Sequence, residues 1–196
     1  MTLTALALVC TLKPSPESSS TELLASQILE SLAKHGVTGS SVRVVDHDVR
    51  PGVEADMGDG DAWPGIRKQV LDADILILAT PTWMGHAASV AHRVLERLDA
   101  EISSGTLTDK VAVAAIVGNE DGAHAISAEV FQALNDVGFS IPAQGVTYWN
   151  GQAMKDVDYQ DLPATPKETA AATKAVAANA AHLAALLSAK GYPKAD

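Results

Sequence analysis

Short apolar runs alternate with amphipathic segments of helical period along this whole sequence, and that alternation restricts the fold more than any other feature. A strand buried on both faces reads as a continuous apolar run, and parallel neighbours need a crossover, usually a helix. Ala73-Asp74-Ile75-Leu76-Ile77-Leu78-Ala79 is such a run, too short for an ordinary helix and apolar enough for a strand covered on both sides. Leu3 to Val9 and Val111 to Val117 read the same way, Ser41 to Asp46 is a Val-rich alternating strand, and Phe139 to Pro142 with Val146 to Trp149 supplies the last. Helical spacing fills the intervals. Leu24, Ile28 and Leu32 repeat ahead of Gly36, Ala62 to Leu71 forms a short helix, and Val90, Val94 and Leu98 mark a third. Ile126, Val130, Leu134 and Val137 line a fourth that Gly138 ends, and Ala-rich Pro166 to Lys190 closes the series. His47 to Asp61, carrying Pro51, Gly52, Gly58, Gly60 and several acids, reads as a long exposed loop.

Five strands and five helices in this order predict an α/β protein in which residues 1–196 form a single domain. The expected architecture is a doubly wound five-stranded parallel sheet, order 2-1-3-4-5, with helices on both faces and a ligand crevice beyond the carboxyl ends of strands one and three. Lys plus Arg total 14 against 24 Asp plus Glu, a net charge of -10, which argues against a nucleic-acid surface. Cys10 is the only cysteine, so neither a disulfide framework nor a thiolate metal cluster is expected, and a reducing cytoplasm fits. Met1 to Val9 lacks the basic flank of a signal peptide, and the sequence predicts no membrane span. The six histidines form no His-x-x-x-His pair, and Asp56, Asp59 and Asp61 lack the EF-hand spacing, so no metal is expected. Neither a Walker A loop nor a Gly-x-Ser-x-Gly elbow occurs.

Three loops meet at the expected crevice. The first, Cys10 to Thr21, gathers Thr11, Lys13, Ser18, Ser20 and Thr21 immediately before a helix. Free N–H groups and the positive end of the helix dipole suit a phosphate there. Ser19 and Glu22 also match a Ser-x-x-Glu capping box, which needs no ligand. The second, Thr80-Pro81-Thr82-Trp83-Met84-Gly85, joins a rigid proline, a small polar residue, an aromatic and a permissive glycine, the components for holding the edge of a flat redox ring. Trp83 could equally cap the core. The third, Gly118-Asn119-Glu120-Asp121-Gly122-Ala123-His124, leaves a strand and enters a helix, so its acids serve a helix start or its backbone lies along a ring. His124 is a weak catalytic candidate, and Tyr148 and Trp149 either wall the cavity or pack in the core.

Taken together, these loops and the Ser89 to Arg97 helix resemble the flavodoxin-like superfamily, specifically its NAD(P)H-dependent FMN reductase and quinone reductase branch. The resemblance covers nearly the whole chain. It implies an FMN whose phosphate is held by Thr11, Ser18, Ser20 and Thr21, with Lys13 in the place of an arginine common in that branch. It implies an isoalloxazine lined by Pro81, Thr82, Trp83, Met84 and Gly85 and by Asn119, Glu120, Asp121 and Gly122. NADPH or NADH would be the electron donor and a quinone or similar small molecule the acceptor, by ping-pong kinetics, with the flavin carrying the chemistry. A homo-oligomer, dimer or tetramer, is implied as well. The alternative is a flavodoxin-type electron carrier whose acidic surface docks on protein partners, and a third reading is a fold that has lost its flavin.

Overall fold

The computed structural model describes residues 2–153 and 155–193. In chain order these form β1 (Thr4–Val9), α1 (Ser20–Ala33), β2 (Thr38–Arg43), α2 (Trp63–Asp72), β3 (Ile75–Trp83), β4 (His86–Ala87), α3 (Ser89–Leu98), β5 (Val111–Gly118), α4 (Ala123–Asp136), β6 (Val146–Asn150) and α5 (Lys167–Ala189). The sheet runs β2-β1-β3-β5-β6, all parallel, so the expected order 2-1-3-4-5 holds for the long strands. A sixth, two-residue strand that the sequence did not reveal, β4, folds back antiparallel on the end of β3.

Period-two burial explains why β1, β3 and β5 carry almost no polar residues. Leu76 and Leu78 join one core with Trp63, Val94 and Ile126 from α2, α3 and α4. Ile75, Ile77 and Ala79 join the opposite core with Leu24, Ile28 and Val176 from α1 and α5. Each fully buried Leu or Ile contributes about 1.5–3 kcal/mol, so the two cores anchor the strand ends on which the loops stand. By length and composition α5 could cross a bilayer, yet it lies on the sheet with Val176, Ala177, Ala180 and Ala184 buried. Cys10 is buried where β1 ends, and burial pushes its thiol pKa up.

Two local expectations change. β2 begins three residues earlier than its valines suggest, because it is an edge strand whose first four residues are exposed, and Val44–Asp46 turn into a short 3-10 helix. Of the proposed last strand only Val146–Asn150 pairs along its length, while Ser140 makes a single bridge to Val111. The loop from His47 to Asp61 is pinned from beneath. Arg97, fully buried on α3, donates to Glu54 O at 3.1 Å, Arg50 O at 2.8 Å and the Asp61 carboxylate at 2.7 Å. Burial alone would raise the Asp61 pKa. The hydrogen bond from Arg97 and those from the backbone N–H groups of Met57, Trp63 and Arg50 outweigh it and hold the carboxyl well below the usual carboxylate range.

Candidate functional site

The carboxyl ends of β1, β3 and β5 open into a cavity of about 410 Å³, within the usual span of small-molecule sites. Its first wall is the loop before α1. Arg43, the last residue of β2, reaches under this loop, donating to Lys13 O at 3.3 Å and Glu17 O at 2.8 Å and pairing with the Glu22 carboxylate. Asp46 tethers the loop's outer side by accepting from Ser15 N–H at 2.8 Å and Ser15 Oγ at 2.6 Å, bonds that lower its pKa. Ser19 caps α1 by accepting from Glu22 N–H at 3.3 Å. Only that half of the capping box forms, because the Glu22 carboxylate is taken by Arg43. The first-turn N–H groups of Ser20 and Thr21 have no intrahelical acceptor, and both residues line the cavity with Thr11 and Lys13. Ser18 sits on the exposed side of the loop, outside the lining.

The second wall differs from a simple loop. β3 continues through Trp83, and Met84 and Gly85, with φ of 53° and 78°, make a two-residue turn into β4. Two successive positive φ values are the mark of the tight hairpin turn whose twist suits paired strands. Pro81, Thr82 and Trp83 therefore line the cavity as strand residues, while Met84 and Gly85 lie at the tip, outside the lining, with Met84 87% exposed. The Thr82 hydroxyl is buried and has no hydrogen-bond partner among the described residues. A buried hydroxyl without a partner is costly, so one beside a cavity suits a ligand with a polar edge.

At the third wall, Gly118, Asn119 and Glu120 line the cavity, whereas Asp121 and Gly122 do not. The Glu120 carboxylate accepts from Met84 N–H at 2.6 Å and ties the hairpin tip to this loop. Gly122, at φ 141°, packs so closely on the hairpin that a Cβ there would stand 2.8 Å from Gly85 O. Gly122 therefore fixes one loop against the other. His124 is exposed on α4 and meets Tyr148 edge-on at 5.3 Å, away from the cavity.

A fourth wall was not foreseen. Residues 151–153 and 155–166 fold back over the opening and bring Asp158 and Tyr159 into the lining beside Trp149. Tyr159 is 2% exposed, tilts against Trp149 at 5.5 Å and donates from its hydroxyl to Gln27 Oε1 at 2.6 Å. Burial raises its phenol pKa. The Trp149 half of this pair was one of two readings of the sequence. Tyr159 carried no local signal, since its partner Gln27 lies on α1.

The cavity thus combines a helix N-terminus with hydroxyls and an ammonium at one end, and an orphaned hydroxyl, aromatics and the close-packed Gly118 toward the other. Those donors fit FMN, an anionic phosphate joined to a flat ring with a polar edge.

Comparison with known proteins agrees with this fit. The family model described as NADPH-dependent FMN reductase matches residues 4–154. A protein of Streptomyces davaonensis named 8-demethyl-8-aminoriboflavin-5'-phosphate synthase is 33% identical over 98% of this chain and 81% of its own length. A crystal structure of RosB with the bound intermediate 8-demethyl-8-formylriboflavin-5'-phosphate superposes with a TM-score of 0.86 at 32% identity, covering 97% of this chain and 82% of that one. A protein of Mycobacterium bovis named divalent metal cation transporter MntH is 37% identical over 81% of this chain, which spans only 25% of that protein's length. The fold is also that of a flavone reductase, with a TM-score of 0.71 at 13% identity over 97% of this chain and 66% of that one.

Proposed function

The chain belongs to the NADPH-dependent FMN reductase family, and from that premise we propose that the protein is an FMN-dependent oxidoreductase passing electrons from NADPH or NADH to a quinone or a similar small acceptor. The observation that carries this reading is a cavity that joins a phosphate-type helix entry to a buried Thr82 hydroxyl with no partner among the described residues. Bound FMN supplies a hydride-accepting centre and a two-electron store. The chain's own residues bind, orient and exclude water. The α1 N-terminus with Ser20, Thr21 and Lys13 holds the phosphate, and the Thr82 hydroxyl orients the ring edge. Pro81 and Trp83 on one side and Gly118 to Glu120 on the other flank the ring, while Trp149 and Tyr159 keep water from one wall. Donor and acceptor take turns in the one cavity, so steady-state double-reciprocal plots run parallel; intersecting lines reject the ping-pong order.

The direct test is anaerobic titration of the FMN-loaded protein with NADH and NADPH, followed by addition of a benzoquinone. Bleaching of the flavin absorbance by the nicotinamide, and its return with quinone in the absence of any partner protein, supports the reductase. Bleaching only through a separate reductase supports the electron-carrier alternative. A second reading follows from the Streptomyces davaonensis relative: the flavin phosphate is the substrate, altered on the ring and released. Mass spectrometry of the flavin recovered after turnover separates the two, since a reductase returns FMN of unchanged mass. Exposed Leu12, Trp83 and Met84 around the opening favour a homo-oligomer, which light scattering tests. Cytoplasmic residence is tested by fractionation.

A further inference from the structure

The family model ends at residue 154, and the cavity's fourth wall lies largely beyond it. This strap, residues 151–153 and 155–166, crosses the cavity from the third loop to the first. At the third loop Gly151 N–H donates to Gly118 O at 2.7 Å, and Asn119 Nδ2 donates to Asp158 Oδ1 at 3.0 Å. At the first, Gln160 N–H donates to Ser20 Oγ at 3.2 Å. Between these latches Asp158 lines the cavity, half-buried, and its second carboxylate oxygen has no partner among the described residues.

The lining holds two other charged side chains. Glu120 accepts from Met84 N–H, and the Lys13 ammonium belongs to the exposed first loop, at the phosphate end. That bond ties Glu120 to the hairpin tip, and Asp158 is the carboxylate that the strap itself brings to the third-loop end of the lining. In a site walled by Trp149 and Tyr159, a carboxylate is screened less than on the open surface, and it discriminates between ligands by their charge.

We infer that Asp158 sets the charge preference for the second substrate, favouring acceptors that carry a cationic nitrogen over those that carry an anionic group. This rests on the reading of the cavity as a reductase site. Asp158 is here a specificity residue, with the Asn119 hydrogen bond fixing its orientation.

The test uses the full FMN-loaded chain and two benzoquinones of similar size, one bearing a trimethylammonium group and one a sulfonate. The readout is the ratio of their kcat/KM values, which is independent of overall rate. Wild-type protein should favour the cation by about tenfold or more at low ionic strength. Asp158→Asn, which keeps an oxygen for Asn119, should lower the ratio at least fivefold, and Asp158→Lys should invert it. Asp161→Asn removes the same formal charge from an exposed side chain outside the cavity and should leave the ratio within twofold. Equal changes in Asp158→Asn and Asp161→Asn, or no change in either, overturn the inference and reduce Asp158 to a latch. FMN titration of the wild type is run first: a protein that quenches no FMN fluorescence overturns the reductase reading itself and the inference with it.

Discussion

Arg43 offers the sharpest test of how the phosphate loop is built, because it shapes that loop without lining the cavity. Replacing it with methionine keeps most of the stem but removes the donors to Lys13 O and Glu17 O and the partner of Glu22. A hydrogen bond from a charged donor is worth about 1.5–3 kcal/mol when broken. Lys13 and Glu17 are exposed, so water can replace the lost donor, and the bond to Lys13 is long at 3.3 Å. The two together therefore contribute about 2–3 kcal/mol. The Glu22 side chain is 40% exposed, so its ion pair adds no more than about 1 kcal/mol, which the apolar methionine stem largely offsets. A net loss of about 2–3 kcal/mol leaves an ordinary domain folded. The same change should raise the Kd for FMN by about tenfold to a hundredfold, or about 1.4–2.8 kcal/mol, since the loop must then be ordered at the expense of binding energy. Urea unfolding of the flavin-free protein measures the first effect and FMN fluorescence quenching the second. A fall in stability with FMN affinity kept within twofold would refute the link between this loop and the phosphate.

The other positions make separable predictions. Ser20→Ala with Thr21→Ala should weaken FMN by about tenfold or more while the fold persists, whereas Ser18→Ala should change the affinity less than twofold; equal losses from the two would mean the loop binds in another arrangement. Thr82→Val removes a buried hydroxyl without a partner, so the flavin-free protein should gain about 1 kcal/mol in urea unfolding while FMN affinity falls; a parallel loss of both assigns the hydroxyl to the fold. Asp61 has a folded pKa below its unfolded value near 3.9, so its contribution is present above about pH 4 and is lost as pH falls through the folded pKa. Asp61→Asn should cost about 3–5 kcal/mol at pH 7, by leaving Arg97 buried without its carboxylate, and should lose less additional stability than wild type between pH 4 and 2.

How much of this was legible depended on how far apart in sequence the determining contacts lie. The central strands were readable because burial on both faces imposes a run of apolar residues within one short segment, as in Ile75 to Ala79. Their order followed from the alternation with helices. The extension of β3 through Trp83 was not readable, since it depends on the Met84-Gly85 turn, and methionine is an unusual residue at a positive φ. The same limit explains Ser18 and Ser20. Both hydroxyls lie before or at the start of a helix, but only the fold's placement of Arg43 and Gln160 decides which one turns inward.

The strap presses this argument furthest. Asp158 meets Asn119 across 39 residues, Tyr159 meets Gln27 across 132, and Gln160 meets Ser20 across 140. No local period or motif encodes such pairs, so a site made only of strand-end loops is the most a sequence reading can reach. Yet the strap's own latch atoms belong to the first and third loops, which the sequence did single out. A ligand gripping Ser20 must share that hydroxyl with Gln160 N–H, so occupancy of the phosphate end and the seating of the strap are linked through one atom. Ser20→Ala removes both interactions at once, whereas Gln160→Pro removes the strap's donor and leaves the Ser20 hydroxyl in place. If the two are linked, Gln160→Pro should also weaken FMN, by less than Ser20→Ala does, and should raise proteolytic cleavage within residues 155–166 in the flavin-free protein. Unchanged cleavage together with unchanged FMN affinity would leave the strap and the phosphate loop as independent walls of one cavity.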